Sequence, residues 1–408
     1  MAMSTDNSDP IPVTVLSGSL GAGKTTTLNH VLNSDHELDA AVLVNDMGEV
    51  NVDADLVEQE SDLSQEDEEV IEMSNGCICC RLRGDMLDEV GRLAETREFD
   101  YLLVESSGIS EPIPVAQTFA QGFEDASFDP TGVYGLDTMV SVVDAHSFWQ
   151  GFESGQVLTD DDLEPDDNRV PEEVLMDQIE FCDVLLLNKC DLVPDDELDE
   201  IEAVIETLQP QAEIIRTEHG EVAPEQILGT GRFDFEQVSQ SAGWKQELQH
   251  GHHHDAAAEE HGVSSFVYER RRPFHPERIA RTLAELPDSV IRAKGFFWSA
   301  GREDVSMGLD KAGQSVRAGP KGQWIATLPE PQQQRYFAAR PQIKEEWDDQ
   351  WGDRGIELVF IGRDVDEEQL VERLDECLLS DAEMDEDWSN YVDPFAPDLQ
   401  EELALADQ

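Results

Sequence analysis

Along the first half of the chain, short apolar runs alternate with longer amphipathic stretches. Val13-Thr14-Val15-Leu16, Ala40-Ala41-Val42-Leu43-Val44, Val70-Ile71-Glu72-Met73, Tyr101-Leu102-Leu103-Val104, Thr138 to Val143 and Val184-Leu185-Leu186-Leu187 are each bounded by polar or glycine residues. Runs of this length, rich in branched side chains, predict strands buried on both faces. Between them, Thr25–Leu32 and a stretch near 196–208 have helical spacing, as do Leu82, Met86, Leu87, Val90 and Leu93. Ala212 to Arg216 predicts one more short strand. Strands alternating with helices predict an α/β fold, a mostly parallel sheet with helices on both faces. Ligands of such sheets lie beyond the carboxyl ends of the strands.

The pattern changes after His250-Gly251-His252-His253-His254-Asp255-Ala256-Ala257-Ala258, a polar stretch expected to be a linker over 250–262. Ser265 to Glu269 then alternates like a half-exposed strand. Ile279, Leu283 and Leu286 share a helical face, and further strands are expected at Arg292–Trp298, Gln323–Leu328 and Ile356–Ile361. A helix over Asp366–Leu378 closes the unit. The domains expected are therefore a loose 1–11, an α/β domain over 12–249, the linker, a smaller α+β domain over 263–379, and an acidic tail from 380 to 408. Within that tail Trp388, Tyr391 and Phe395 are candidates for docking. Acidic, apolar-poor stretches at 53–69 and 153–173 are expected to be solvated insertions.

Charge narrows the possible partners. The 408 residues carry 91 acids against 27 bases, a net −64. Such a chain lacks the basic footprint of a nucleic-acid binder and is repelled by anionic membrane surfaces. Acids along the whole length suit a high-salt cytoplasm, where the repulsion is screened within a few Å. No apolar run is long enough for a membrane span and no signal peptide is evident, so a cytoplasmic protein with reduced thiols is expected.

The strand ends carry the chemistry. Gly18-Ser19-Leu20-Gly21-Ala22-Gly23-Lys24-Thr25-Thr26 fits the phosphate-binding P-loop, with a strand before it and a helix after. Gly18, Gly21 and Gly23 let the backbone bend around phosphates, and the helix offers its positive dipole end. Lys24 is expected at the β- and γ-phosphates, and the Thr25 hydroxyl on Mg²⁺. Glu105 ends a buried strand in the place of a carboxylate that holds Mg²⁺ or its waters, or polarises the attacking water. Gly108 follows, placed for its N–H to approach the γ-phosphate. Asn188-Lys189-Cys190-Asp191 fits N-K-x-D. The Asp191 carboxylate can accept from guanine N1–H and the exocyclic amine, a pair that adenine lacks. Lys189 would lie along the base plane.

Cys77, Cys79 and Cys80 fall within four residues, flanked by Gly76 and Arg81. Soft thiolates suit Zn²⁺ and related metals, and three sulfurs leave a coordination position open. The tract His250, His252, His253, His254 and His261 is a weaker metal signal, equally consistent with a polar linker.

P-loop, C-x-C-C, a strand ending in E-S-S-G at Glu105–Gly108, and N-K-C-D, in that order, resemble the CobW family of metal-related P-loop GTPases. Arg272 to Arg278 and Glu357 to Arg363 look like that family's C-terminal domain. The resemblance implies a GTP-hydrolysing metallochaperone with GTP and Mg²⁺ as cofactors. It implies a Zn²⁺ or Co²⁺ site that includes Cys77, Cys79 and Cys80, and a client metalloprotein as partner. It also implies that Asn188 and Asp191 read guanine. One departure is visible: the family's usual N-E-F-G is Asn45-Asp46-Met47-Gly48 here.

Overall fold

The computed structural model describes residues 10–34, 39–46, 70–74, 90–94, 99–106, 112–122, 128–153, 171–243, 245–246, 261–345 and 347–395. The chain divides into two compact units, with the main boundary between Gly243 and Trp244.

The first unit is built on β1 (Ile11–Gly18), β2 (Ala40–Asp46), β3 (Val70–Ser74), β4 (Tyr101–Glu105), β5 (Tyr134–Asp144), β6 (Val184–Asn188) and β7 (Glu213–Arg216). They form one seven-stranded sheet in the order β3-β2-β4-β1-β5-β6-β7. Every pairing is parallel, so all carboxyl ends lie along one edge. Register aligns Leu16 with Glu105 and Asp144 with Asn188, which brings successive strand ends level.

Strand alternation sends apolar side chains to both faces. Val13, Val15, Leu102 and Val104 pack on one face with Phe119 of α2 (Pro112–Ala120). Leu16, Val42, Leu103, Val140 and Leu186 pack on the other with Leu28 and Val31 of α1 (Lys24–Leu32). Each such side chain taken fully out of water contributes roughly 1.5–3 kcal/mol of transfer free energy.

Several elements differ from the sequence-based expectation. β5 starts at Tyr134, upstream of the expected Thr138. α2 was not anticipated, because Pro112 and Pro114 resemble a loop signal; both sit in the first turn, where a missing N–H costs nothing. The acidic stretch expected to end at 173 gives way at Pro171 to α3 (Pro171–Glu180), whose first-turn Glu172 and Glu173 are buried. Residues 90–94 are helical as expected; Leu82, Met86 and Leu87 lie outside the described residues. α4 (Asp195–Leu208) is the acidic-start helix anticipated near 196–208.

The second unit holds β8 (Val263–Arg270), β9 (Val290–Phe297), β10 (Val305–Ala312), β11 (Ser315–Gln323) and β12 (Ile356–Arg363). They form an antiparallel sheet in the order β11-β10-β9-β12-β8. Phe266, Tyr268, Phe297, Leu309, Leu358 and Phe360 share one core with Ile279 and Leu283 of α5 (Pro276–Ala284) and with Leu370 and Leu374 of α6 (Glu367–Asp375).

The strand expected at Gln323–Leu328 is absent: Gln323 ends β11, and Ile325–Thr327 is a 3-10 turn. The β10–β11 hairpin takes its place, in a stretch whose glycines, Pro320 and lysines hide the strand signal. The closing helix ends at Asp375 and not at Leu378. The chain beyond Ser380 continues into the unit as far as Phe395. Trp388 packs on Trp298, the Tyr391 ring on His275, and Phe395 on Phe297. Among the described residues, no helix is long and apolar enough to cross a membrane.

Candidate nucleotide-binding site

The turn from β1 to α1 has a conformation that its glycines permit. Gly18, Gly21 and Gly23 have φ of 144°, 76° and 108°. Gly18 is also sterically fixed, since a Cβ there would sit 2.3 Å from the Val142 carbonyl oxygen. At Gly23 a Cβ would stand 2.3 Å from the Asn188 amide nitrogen. Two unrelated neighbours, from β5 and β6, therefore demand a bare backbone in the loop.

Lys24 opens α1 and is 7% exposed. Its ammonium donates to the Gly18 and Ser19 carbonyls at 3.0 and 3.2 Å. These bonds hold the cation across the mouth of the loop, at the anion-binding end of the helix. Ala22 is buried beneath the loop, and Thr26 is exposed at the first turn. Thr25 donates its hydroxyl to Glu105 Oε1 at 2.8 Å. The Glu105 side chain is 2% exposed, and its neighbour Ser106 is tied to Leu16 O through N–H and hydroxyl. The sequence motifs thus place an alcohol and a carboxylate, 80 residues apart, in direct contact. Paired hard oxygen donors beside a buried cation fit Mg²⁺ chelation at a phosphate site.

On the other flank, Asn188 ends β6 and is buried. Its amide nitrogen donates to the Ala22 carbonyl at 2.9 Å. Its amide oxygen accepts from the Thr217 hydroxyl at 3.1 Å and the Gly220 N–H at 2.9 Å. One side chain therefore ties the P-loop to the turn after β7. Gly220 (φ 72°) completes that fit, because a Cβ there would lie 2.8 Å from the Thr27 N. Lys189 follows with left-handed backbone (φ 63°) and donates to Asp144 Oδ2 at 2.8 Å. Asp191 sits in the next 3-10 turn, with His219 Nε2 3.9 Å from its Oδ2. The Cys190 thiol donates to Leu187 O, and burial pushes its pKa up, so it stays a neutral thiol.

The structure brings together Gly18, Gly21, Ala22, Gly23, Lys24, Thr25 and Glu105, with Asn188 joined to the same loop. Gly108, Cys77, Cys79, Cys80, Met47, Gly48 and the histidines from 250 to 254 lie outside the described residues. β3 ends at Ser74, shortly before Cys77 in sequence. Among the described residues, no group of three or more His, Cys, Asp or Glu is arranged to hold a metal. Asp144, Thr217 and Gly220 carried no sequence motif. The available signal was their position, a polar residue directly after a buried strand, or a glycine one turn beyond.

Two family models match this chain. CobW/HypB/UreG, nucleotide-binding domain, covers residues 12–216, and Cobalamin synthesis protein cobW C-terminal domain covers residues 263–378. The chain is 42% identical over 413 residues to Zinc-regulated GTPase metalloprotein activator 1 of Dictyostelium discoideum, spanning 97% of this chain and 86% of the relative. It is 26% identical over 373 residues to Zinc chaperone YjiA of Escherichia coli, spanning 89% and 97%. A solved structure of Zn(II)-bound YjiA GTPase from E. coli aligns with 91% of this chain and 100% of its own, at a TM-score of 0.39 and 22% identity. With the P-loop, the strand-end carboxylate and the N-K-C-D turn assembled at one sheet edge, and both family domains matched in order, this chain belongs to the CobW/HypB/UreG family of nucleotide-binding proteins.

Proposed function

We propose that this protein is a cytoplasmic GTPase that acts as a metal chaperone. It takes Zn²⁺ or Co²⁺ on Cys77, Cys79 and Cys80 and hands it to a client metalloprotein. The observation that carries the nucleotide half is the Asn188 side chain, which bridges the Ala22 carbonyl and the Gly220 N–H. That bridge sets the N-K-C-D turn beside the phosphate loop, so one ligand with a base and a phosphate tail can span both. The metal half is supported by the thiol trio and by the names of the two relatives, one a zinc-regulated GTPase metalloprotein activator and the other a zinc chaperone.

In this reading, Gly18 to Gly23 wrap the phosphates with backbone N–H groups. Lys24 exchanges its carbonyl partners for phosphate oxygens and offsets charge that grows during transfer to water. Thr25 and Glu105 would hold Mg²⁺, which when bound neutralises phosphate charge. Alternatively Glu105, buried and bonded to Thr25, would polarise the attacking water. Gly108 would offer its N–H to the γ-phosphate. Asp191 accepts from guanine, with Lys189 along the base.

Metal and nucleotide then share one edge of the sheet. A loop ordered by both makes each tighten the other equally, typically by roughly 5- to 150-fold. The test is a metal competition titration against a chelating dye, run with Mg-GTP and with Mg-GDP, on protein lacking His250–His261. Tighter Zn²⁺ or Co²⁺ binding with Mg-GTP, lost on replacing the three cysteines, is expected. Equal metal binding in all nucleotide states would leave a metal store as the better description. Hydrolysis of ATP as fast as GTP would overturn the nucleotide assignment.

A further inference from the structure

One acid at this edge was not singled out by any motif. Asp144 ends β5, level with Asn188 on β6, and its side chain is only 12% exposed. Oδ1 accepts from the N–H groups of His146 and Ser147 at 3.0 and 3.3 Å. Oδ2 accepts from the Ser147 hydroxyl at 2.9 Å and from Lys189 Nζ at 2.8 Å. The Ala145 N–H is bonded in turn to Asn188 O at 2.9 Å. The carboxylate is thus fixed by its own turn, and that turn is fixed to the strand bearing the base-reading residues.

Lys189 needs such an anchor. Its left-handed backbone heads the 3-10 turn Cys190–Leu192, which contains Asp191. A lysine has a flexible four-carbon stem and a compact charge. A cation two residues before Asp191, in a tight turn, has that carboxylate as an alternative partner. A lysine bonded to Asp191 would occupy the oxygens needed for guanine N1–H and the exocyclic amine. His219 Nε2 already stands 3.9 Å from Asp191 Oδ2, so an ammonium on that carboxylate would crowd it further.

We propose that Asp144 is a specificity-determining positioning residue. It holds the Lys189 ammonium away from Asp191 and so keeps that carboxylate open to guanine. This rests on the guanine reading above and adds to it a residue that touches neither base nor phosphate.

The test compares the full chain with Asp144→Asn, Lys189→Met and the double variant, using GDP, IDP and ADP as probes in direct binding titrations. IDP lacks the exocyclic amine, so the ratio of GDP to IDP affinity reports the Asp191 carboxylate. Asparagine keeps an oxygen for the turn N–H groups and matches aspartate in size, so the turn is retained. In Asp144→Asn the GDP/IDP ratio should fall by about ten-fold, the scale of one charge-assisted hydrogen bond. In the double variant the ratio should return to that of Lys189→Met alone, because no cation remains to cover Asp191. A role in folding alone would lower GDP and IDP affinity together and would not be rescued by removing the lysine. An unchanged ratio in Asp144→Asn, or no recovery in the double variant, overturns the proposal while the guanine reading stands. Failure of the unmodified protein to prefer GDP over ADP would defeat both, and that comparison is made first.

Discussion

The two units bury polar groups for different ends. In the first, polar side chains at the carboxyl edge of a parallel sheet join loops to one another. Glu105 holds Thr25, Asn188 joins two turns, and Asp144 holds Lys189. In the second, buried charge secures the sheet itself. Arg292, 1% exposed in β9, donates to Asp310 and to the Lys311 carbonyl of β10, and Arg292 and Lys294 hold the Asp310 pKa below its usual range against the effect of burial. Surface charge divides in the same way. Residues 263–395 hold 27 of the 91 acids but 17 of the 27 bases, a net −10 against −54 for the rest of the chain, and from Lys311 to Lys344 the sole acid is Glu330. The net negative charge therefore belongs mainly to the remainder, because the bases, not the acids, are unevenly divided.

The difference can be broken most forcefully through packing. Phe360 is fully buried in the core of the second unit, stacked on Phe266 with ring centroids 5.2 Å apart. Phe360→Ala should cost that unit about 3–5 kcal/mol. The first unit packs around a different sheet and should keep its response to nucleotide. Scanning calorimetry should show one transition falling while the other still rises with added GDP, by about 2.7 kcal/mol at a hundred-fold excess over Kd. Loss of the GDP-dependent rise would mean that the two cores do not act separately.

Legibility in the sequence follows the same division. In the first unit, strands buried on both faces are uninterrupted apolar runs, and motifs directly after them mark the ligand edge. Lys24, Thr25, Glu105 and Asn188 were therefore identifiable. What stayed hidden were partners whose role depends on tertiary register. Asp144 faces Lys189 only because β5 and β6 are level. Thr217 and Gly220 reach Asn188 only because the turn after β7 folds back. In the second unit, β11 (SVRAGPKGQ) is an edge strand, where exposure allows Pro320, Lys321 and glycines that a central strand would exclude. A periodicity search passes over it and selects the more apolar Gln323–Leu328 instead, which is a turn.

A buried acid away from the ligand edge supplies the next test. Asp183 lies just before β6 and accepts from the Met139 N–H at 2.8 Å. Burial raises its pKa from 3.8 to about 6, against the lowering effects of that hydrogen bond and of Arg232. An acid whose folded pKa is raised binds its proton more tightly in the folded state. Its stabilising contribution is full below the unfolded pKa and is lost as pH rises through about 6. At about 1.4 kcal/mol per pKa unit the loss is roughly 3 kcal/mol. Asn keeps an acceptor for Met139 and has no charge to bury. Asp183→Asn should therefore flatten the fall in first-unit stability between pH 4 and pH 7, while the second-unit profile is unchanged. Denaturant melts across that range would refute the assignment if the mutant kept the wild-type slope.

The smallest effect probes the finest part of the comparison, whether the polar links at the carboxyl edge act on ligand binding or only on folding. Thr217 donates its hydroxyl to Asn188 Oδ1, which also accepts from Gly220 N–H. Thr217→Val removes the hydroxyl and keeps the shape. Asn188 Oδ1 retains one partner, so no acceptor is stranded, and the stability cost should be about 1 kcal/mol or less. The consequence for ligand is distinct. Asn188 Nδ2 holds the Ala22 carbonyl, and a less firmly held amide loosens the loop that presents its N–H groups to phosphate. GDP affinity should fall by about three- to five-fold, within the range of a single neutral hydrogen bond. Guanosine, which has the base but no phosphate, should lose less than GDP if Asn188 acts through the P-loop. Equal losses would assign the Thr217–Asn188 link to the base side alone. Unchanged GDP affinity alongside a lower melting temperature would reduce the link to a folding contact, of the kind that Arg292 and Asp310 make in the second unit.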